Sequence, residues 1–142
     1  MDITDGTFAS TSATIAATVL GDIGAKTTGV VTVTNAAKIV GAASDLTNTL
    51  VTSGSSVIAA TALVDITDGT FASTSATIAA TVLSNIGAKT SGAVTLQNKV
   101  RIEGTVSEVT AAVVTNPSRV VASQTDTEAR VTSAVDALKV MQ

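Results

Sequence analysis

The chain lacks four residue types on which catalysis and metal binding often depend. Its 142 residues contain no cysteine, histidine, tryptophan or tyrosine, and its aromatic side chains are Phe8 and Phe71. Without cysteine there is no disulfide framework and no thiolate metal site. Without histidine, the commonest metal ligand and the usual general base at neutral pH are both missing. No nucleophile–base pair stands out among the remaining Ser, Thr, Lys and carboxylates, so we predict that the chain is not an enzyme.

Charge and long apolar runs are also scarce. Charged residues make up 13% of the chain and the net charge is −3, without the clustered Lys and Arg that a nucleic-acid partner requires. The longest apolar run, Val57–Val64, is far shorter than the roughly 20 residues that span a bilayer. Asp2 and Asp5 stand where a secretory signal carries Lys or Arg. We therefore predict no nucleic-acid partner, no membrane span and no N-terminal signal peptide.

Small aliphatic and hydroxyl residues take the place of what is missing. Hydrophobic residues make up 45% of the chain, almost all of them Ala, Val, Ile and Leu, and 26 residues are threonine. The mean hydropathy of +0.49 is high for a free monomer. A surface with so few charges favours association. We therefore expect self-association, or burial against other structural subunits.

A 63-residue repeat dominates the sequence. The stretch Asp2–Leu20 is identical to Asp65–Leu83, and weaker similarity continues through the rest of each unit. Self-similarity at a fixed period is the signature of repeat architecture. We therefore treat residues 1–142 as a single repeat domain with a first repeat at 2–64, a second repeat at 65–127 and a closing helix at about 127–140.

Apolar residues spaced by three or four positions predict helices within each repeat. The first runs through Ile15, Val19 and Ile23, with Ser10 or Thr11 as the N-cap and Gly24 as the stop. The second has an apolar stripe that recurs in the second repeat: Ile39, Ala43, Leu46 and Leu50, then Ile102, Val106, Val109 and Val113. Strands are predicted at Val30–Thr34, Val57–Val64 and Arg119–Ser123.

This order of elements predicts an α/β fold. Strands joined by helices are usually parallel, and repeats that cannot each close a core stack on one another. The favoured architecture is a helix–strand repeat solenoid with short parallel strands and helices packed on the sheet. Two alternatives stay open. One is a compact α+β domain, and the other is an all-β solenoid, because Thr, Val and Ile favour strands.

The sequence Asp-Ile-Thr-Asp-Gly occurs at the start of both repeats. Two carboxylates beside a glycine turn can bind Ca²⁺, which prefers oxygen ligands, so the candidate metal ligands are Asp2, Asp5, Asp65 and Asp68. The spacing does not match the EF-hand loop. The alternative is that these aspartates shape a turn through hydrogen bonds to the backbone. No cofactor is predicted.

Two further features indicate contacts between subunits. A stripe of threonine hydroxyls is predicted on the first helix of each repeat, either as a low-charge solvent face or as a flat packing surface: Thr11, Thr14 and Thr18, then Thr74, Thr77 and Thr81. A repeat array cut within a unit also exposes apolar end faces unless these are capped. We expect a neighbouring molecule to seal them, which can build rings or filaments.

The segments Ser75–Leu83 and Gly87–Leu96, which read SATIAATVL and GAKTSGAVTL, carry a resemblance at the level of composition and rhythm. They resemble the Thr/Ala-rich tandem repeats of large surface proteins in marine bacteria and cyanobacteria, and structural proteins of phages that infect them. The resemblance implies an extracellular or virion location and a scaffolding or adhesion role. The predicted function is a structural assembly subunit, such as a virion decoration, fibre or filament protein. The alternative is an adhesin-type cell-surface repeat, stabilised by calcium.

Overall fold

The computed structural model of the chain describes residues 1–4, 13–35, 37–52, 57–69, 76–98, 100–114, 120–122 and 128–131. These residues form four α-helices and eleven short strands. The helices are α1 (Ala17–Ala25), α2 (Ala43–Leu46), α3 (Ala80–Gly87) and α4 (Val106–Val113), and α2 continues as a π-helical segment, Thr47–Val51.

The strands occur in pairs between the helices. Their bounds are β1 (Asp2–Ile3), β2 (Thr14–Ala16), β3 (Val31–Val33), β4 (Lys38–Gly41), β5 (Val57–Ile58), β6 (Leu63–Ile66), β7 (Thr77–Ala79), β8 (Val94–Leu96), β9 (Arg101–Gly104), β10 (Val120–Ala122) and β11 (Glu128–Val131). They make three sheets, β1-β3-β5, β10-β8-β6-β4-β2 and β11-β9-β7. Every pairing between the described strands is parallel.

The core lies between the sheets and a row of helices. One inward row crosses the central sheet in register through Ile15, Ile39, Val64 and Val94. Leu20 and Leu83 bury their side chains on the inner faces of α1 and α3. Glycines let the helices approach the strands closely, because a Cβ at Gly41 would lie 2.8 Å from the Cβ of Ala17. Successive helices contact one another, α1 with α2, α2 with α3 and α3 with α4.

The sequence period reappears in the structure as equivalent elements. Helix α3 begins 80 − 17 = 63 residues after α1, and β8 and β9 begin 94 − 31 = 63 and 101 − 38 = 63 residues after β3 and β4. By this equivalence the sheet β1-β3-β5 corresponds to β6-β8-β10, and β2-β4-β6 corresponds to β7-β9-β11. Strand β6 therefore belongs to both repeats at once.

The prediction of an α/β fold with parallel strands and packed helices is confirmed. The described helices exclude the all-β alternative, and the parallel pairing of every described strand argues against a compact antiparallel domain. The strand at Val31–Val33 lies where one was predicted, and β10 lies within the predicted strand Arg119–Ser123.

Several predicted boundaries are wrong because strands replace the first turns of the predicted helices. Ile15, Ile39 and Ile102 lie in β2, β4 and β9, where β-branched side chains favour extended backbone. The predicted strand Val57–Val64 is divided by a turn into β5 and β6. The closing helix predicted at about 127–140 is wrong where described, since Glu128–Val131 is strand β11 paired with β9. The proposed N-caps Ser10 and Thr11 lie outside the described residues.

Candidate functional site at the junction of the two repeats

The junction between the repeats is built around strand β6. On one edge β6 pairs with β4 of the first repeat, and on the other with β8 of the second. Backbone hydrogen bonds fix both edges, from Leu63 N to the carbonyl oxygen of Ala37 at 3.0 Å and from Val64 N to that of Ala93 at 3.0 Å. A single strand thus joins the two repeats without a linker.

An ion pair crosses the same strands. The ammonium nitrogen of Lys38 in β4 lies 3.2 Å from a carboxylate oxygen of Asp65 in β6. Asp65 is buried, whereas the Lys38 side chain is about one-third exposed. Because a buried carboxylate needs a partner, Lys38 compensates the charge that Asp65 brings into the junction.

A second aspartate caps a helix of the other repeat. The carboxylate of Asp68, at the start of the second repeat, accepts a hydrogen bond of 2.6 Å from the backbone N–H of Ala43 in α2. The N-cap residue of α2 is Ala42, which offers no side-chain acceptor. Because the first N–H groups of a helix lack intrahelical partners, Asp68 supplies an acceptor that the first repeat does not provide.

The turn between β5 and β6 covers the segment that precedes β8. The hydroxyl of Thr90 donates to the carbonyl oxygen of Ala62, and Ser91 donates its backbone N–H and its hydroxyl to the carbonyl oxygen of Ala60 at 2.7 and 3.0 Å. A Cβ added at Gly92 would overlap the carbonyl oxygen of Ala62. The segment Thr90–Gly92 therefore depends on close backbone approach.

Helices close the junction on its outer side. The π-helical segment and α2 both contact α3. Leu50 and Ile86 are buried there, and Val82 is half-buried against the core. The junction therefore combines an apolar helix contact, strand pairing on both edges of β6, an ion pair and a helix cap.

The first repeat exposes the residues that the second buries at this junction. We call this surface the N-terminal face: Met1, Val19, Ile23 and the segment Thr27–Val30. Val19 is 51% exposed although its equivalent Val82 is half-buried, and Met1 is 68% exposed although its equivalent Val64 is fully buried. Thr27 is half-buried, whereas its equivalent Thr90 is buried.

The opposite end of the described chain has the complementary character. We call it the C-terminal face: Val106, Val113 and Val114 of α4 and its end. Val113 is 38% exposed and Val114 is 74% exposed, whereas their equivalents Leu50 and Val51 pack into the junction. Each end of the molecule thus carries one half of a contact that is complete in the middle.

The four predicted calcium ligands have different placements. Asp65 pairs with Lys38 and Asp68 caps α2, whereas Asp2 is exposed in β1. Asp5 lies outside the described residues. Within the described part of the chain, no group of three or more Asp, Glu, His or Cys side chains comes together. Calcium binding stays a prediction, which melting with calcium and with a chelator checks.

A cleft of about 410 Å³ lies between α1 and the π-helical segment in the first repeat. Its lining includes two carboxylates, those of Asp22 and Asp45. The buried hydroxyl of Thr49, also in the lining, donates to the carbonyl oxygen of Ala17 at 2.7 Å. That bond gives the hydroxyl a structural role rather than pairing it with a base.

The predicted threonine stripe is divided between two kinds of element. Thr14 and Thr77 lie in β2 and β7, whereas Thr18 and Thr81 lie on α1 and α3. All four are exposed. Thr11 and Thr74 lie outside the described residues. Because Thr18 and Thr81 are exposed alike, this surface is not part of the junction.

Sequence reasoning missed the role of the junction aspartates. The signal that was available is their position, since Asp-Ile-Thr-Asp-Gly stands at the boundary where one repeat meets the next. No helix in the described part of the chain is long and apolar enough to cross a bilayer. No family model, curated protein or solved structure matches the chain.

Proposed function

We propose that the protein is a non-catalytic structural subunit that associates end to end. The observation that carries the proposal is the pairing of environments described above: side chains buried at the internal junction have equivalents that are exposed at the two ends. In this proposal the helix–strand units form a short solenoid, and contacts between molecules continue the stacking that already joins the two repeats.

The exposed apolar side chains give the association its driving force. Met1, Val19 and Val30 lie on the N-terminal face, and the three valines of the C-terminal face are also exposed. Removing apolar surface from water contributes roughly 25 cal/mol per Å². A contact between unlike faces does not close on itself as a two-fold dimer does, so it builds rings or open filaments.

The proposed setting is extracellular or on a virion, as a decoration, fibre or filament component. This part rests on the resemblance to Thr/Ala-rich repeats of surface and phage structural proteins. The low charge of the chain supports it, because a poorly charged surface favours association over free solution.

The test is molar mass as a function of protein concentration, measured by light scattering on the full chain. We expect the mass to rise above 14.0 kDa with concentration. Electron microscopy of the concentrated sample then distinguishes closed rings from filaments. A mass that stays at the monomer value up to millimolar concentration would show that the protein is not a self-assembling subunit.

A further inference from the structure

Strands β1 and β11 each make half of the pairings that β6 makes. Strand β6 pairs with β4 and with β8. Strand β1 is the equivalent of β6 that pairs with β3, the equivalent of β8. Strand β11 pairs with β9, the equivalent of β4. Within the described residues, the second edge of each strand has no partner.

We propose that two molecules of this chain rebuild the internal junction between them by exchanging a strand. Strand β11 of one molecule takes the place of β1 beside β3 of the next molecule. The C-terminal face of the first molecule then packs on the N-terminal face of the second. This inference rests on the proposed self-assembly and specifies its contact.

The register of the internal junction predicts the register of the exchange. Along β4 and β9, Lys38 pairs with Leu63 and Arg101 pairs with Glu128, so Arg130 holds the register position of Asp65. Asp65 pairs with Thr95, whose equivalent is Thr32. The proposed contact therefore places Arg130 of one molecule opposite Thr32 of the next.

Strand β1 is poorly held in its position. It pairs with β3 over two positions, Asp2 with Thr32 and Ile3 with Val33. Strand β11 has four residues in strand geometry, and β6 pairs with β8 over three positions. Replacing β1 therefore restores each pairing that it gives up and adds one more.

A glycine on the N-terminal face supports an incoming chain at this place. Gly92 must lack a side chain because the turn before β6 lies against it. Its equivalent Gly29 is exposed, and a Cβ there would meet Thr27 Oγ1 at the ordinary distance of 3.7 Å. The isolated chain gives Gly29 no steric reason to be glycine, whereas a docked segment like the turn at 59–62 does.

The first experiment uses two variants that block opposite faces. Val30→Arg places a charge on the N-terminal face and Val114→Arg places one on the C-terminal face, both at exposed positions that should leave folding intact. Thr81→Arg, on the exposed side of α3, is the matched control. Mass is measured against concentration for each variant and for a 1:1 mixture of the two face variants.

We expect each face variant alone to associate at least about tenfold more weakly than the unmodified chain, which corresponds to 1.4 kcal/mol. The mixture should form 1:1 pairs, because each variant retains the face that the other lacks. The control should associate like the unmodified chain. Unchanged association of both face variants would overturn this contact while leaving self-assembly intact, whereas a strictly monomeric unmodified chain would remove self-assembly itself.

The second experiment tests the strand exchange by disulfide formation. Because the chain has no cysteine, single introduced thiols report only the designed contact. Chains carrying Arg130→Cys are mixed under oxidising conditions with chains carrying Thr32→Cys, or with chains carrying Asp2→Cys. Directly paired strand positions satisfy the Cα separation of about 4.4–6.8 Å that a disulfide needs.

Exchange predicts that Arg130→Cys couples to Thr32→Cys at least about fivefold faster than to Asp2→Cys. Simple addition of β11 to the free edge of β1 predicts the reverse, because Asp2 would then be the neighbour of Arg130. Faster coupling to position 2, or equal coupling to both, would overturn the exchange.

Discussion

Ile23 and Ile86 are the same residue at equivalent positions of the two repeats, yet Ile86 is fully buried and Ile23 is half-buried. The sequence around them is nearly identical, so local structure does not account for the difference. What differs is the neighbour: α3 has α2 and its π-helical extension on one side and α4 on the other, whereas the described contacts of α1 are with α2 and its extension alone. Burial in this chain is therefore set by position in the stack.

The two repeats also solve the same packing problem differently. A Cβ at Gly21 of α1 would lie 3.0 Å from Thr49 Oγ1 of the π-helical segment. In the second repeat the equivalent residues are Ser84 and Ala112. The total side-chain size of each pair is the same, but the hydroxyl has moved to the other helix. Ser84 Oγ is buried without a hydrogen-bond partner in the described structure, unlike Thr49 Oγ1.

The largest expected effect comes from the isoleucine pair. Ile86→Ala leaves a cavity in a fully buried position and should lower the free energy of unfolding by about 4 kcal/mol. Ile23→Ala should lower it by about 1–2 kcal/mol, because part of that side chain is already in water. Urea denaturation of both variants at a concentration where the chain is monomeric checks the difference. Equal losses would mean that the two environments are energetically alike.

A smaller contrast is expected between the two glycines of the turn segments. Gly92→Ala forces the backbone near Ala62 to move and should cost about 2–3 kcal/mol, as overpacking does. Gly29→Ala meets open space and should leave the monomer unchanged or up to about 1 kcal/mol more stable, because the unfolded chain loses freedom. Thermal unfolding of the two variants side by side is the measurement, and a destabilised Gly29→Ala monomer contradicts the contrast.

The helix contact between α1 and the π-helical segment should show coupling. Gly21→Ser alone crowds Thr49 and should cost about 1–2 kcal/mol. Adding Thr49→Ala reproduces the pair found in the second repeat and should recover about 1 kcal/mol relative to the sum of the single variants. A double-mutant cycle by chemical denaturation measures this term, and strict additivity would show that the two positions do not share one space.

The smallest effect concerns how the two equivalent helices are capped. Helix α4 has its own capping box, in which Thr105 accepts from Glu108 N at 3.2 Å and Glu108 accepts from Thr105 N at 2.8 Å. Helix α2 takes its cap from Asp68 of the next repeat. Asp68→Ala and Thr105→Ala should each cost about 1 kcal/mol. Hydrogen exchange should locate the first loss at Ala43 and the second within α4, and protection lost elsewhere would contradict the assignment.

The sequence period and the apolar residues were enough to predict the α/β class, the parallel pairing and the strand at Val31–Val33. They could not locate where strand becomes helix, because Ile39 fits a helical stripe with Ala43 as well as it fits a strand. The roles of Asp65 and Asp68 could not be predicted either. Both depend on Lys38 and Ala43, which lie 25 or more residues away in the chain and meet them only in the folded state.

Strand β6 has a consequence for how the molecule comes apart. Proteins with two domains are usually divided by an exposed linker that a protease can cut to release each half. Here the segment that joins the repeats is itself hydrogen-bonded on both edges at the centre of a five-stranded sheet. Cleavage there requires breaking the sheet, so the two repeats should resist separation and lose their structure together as one unit.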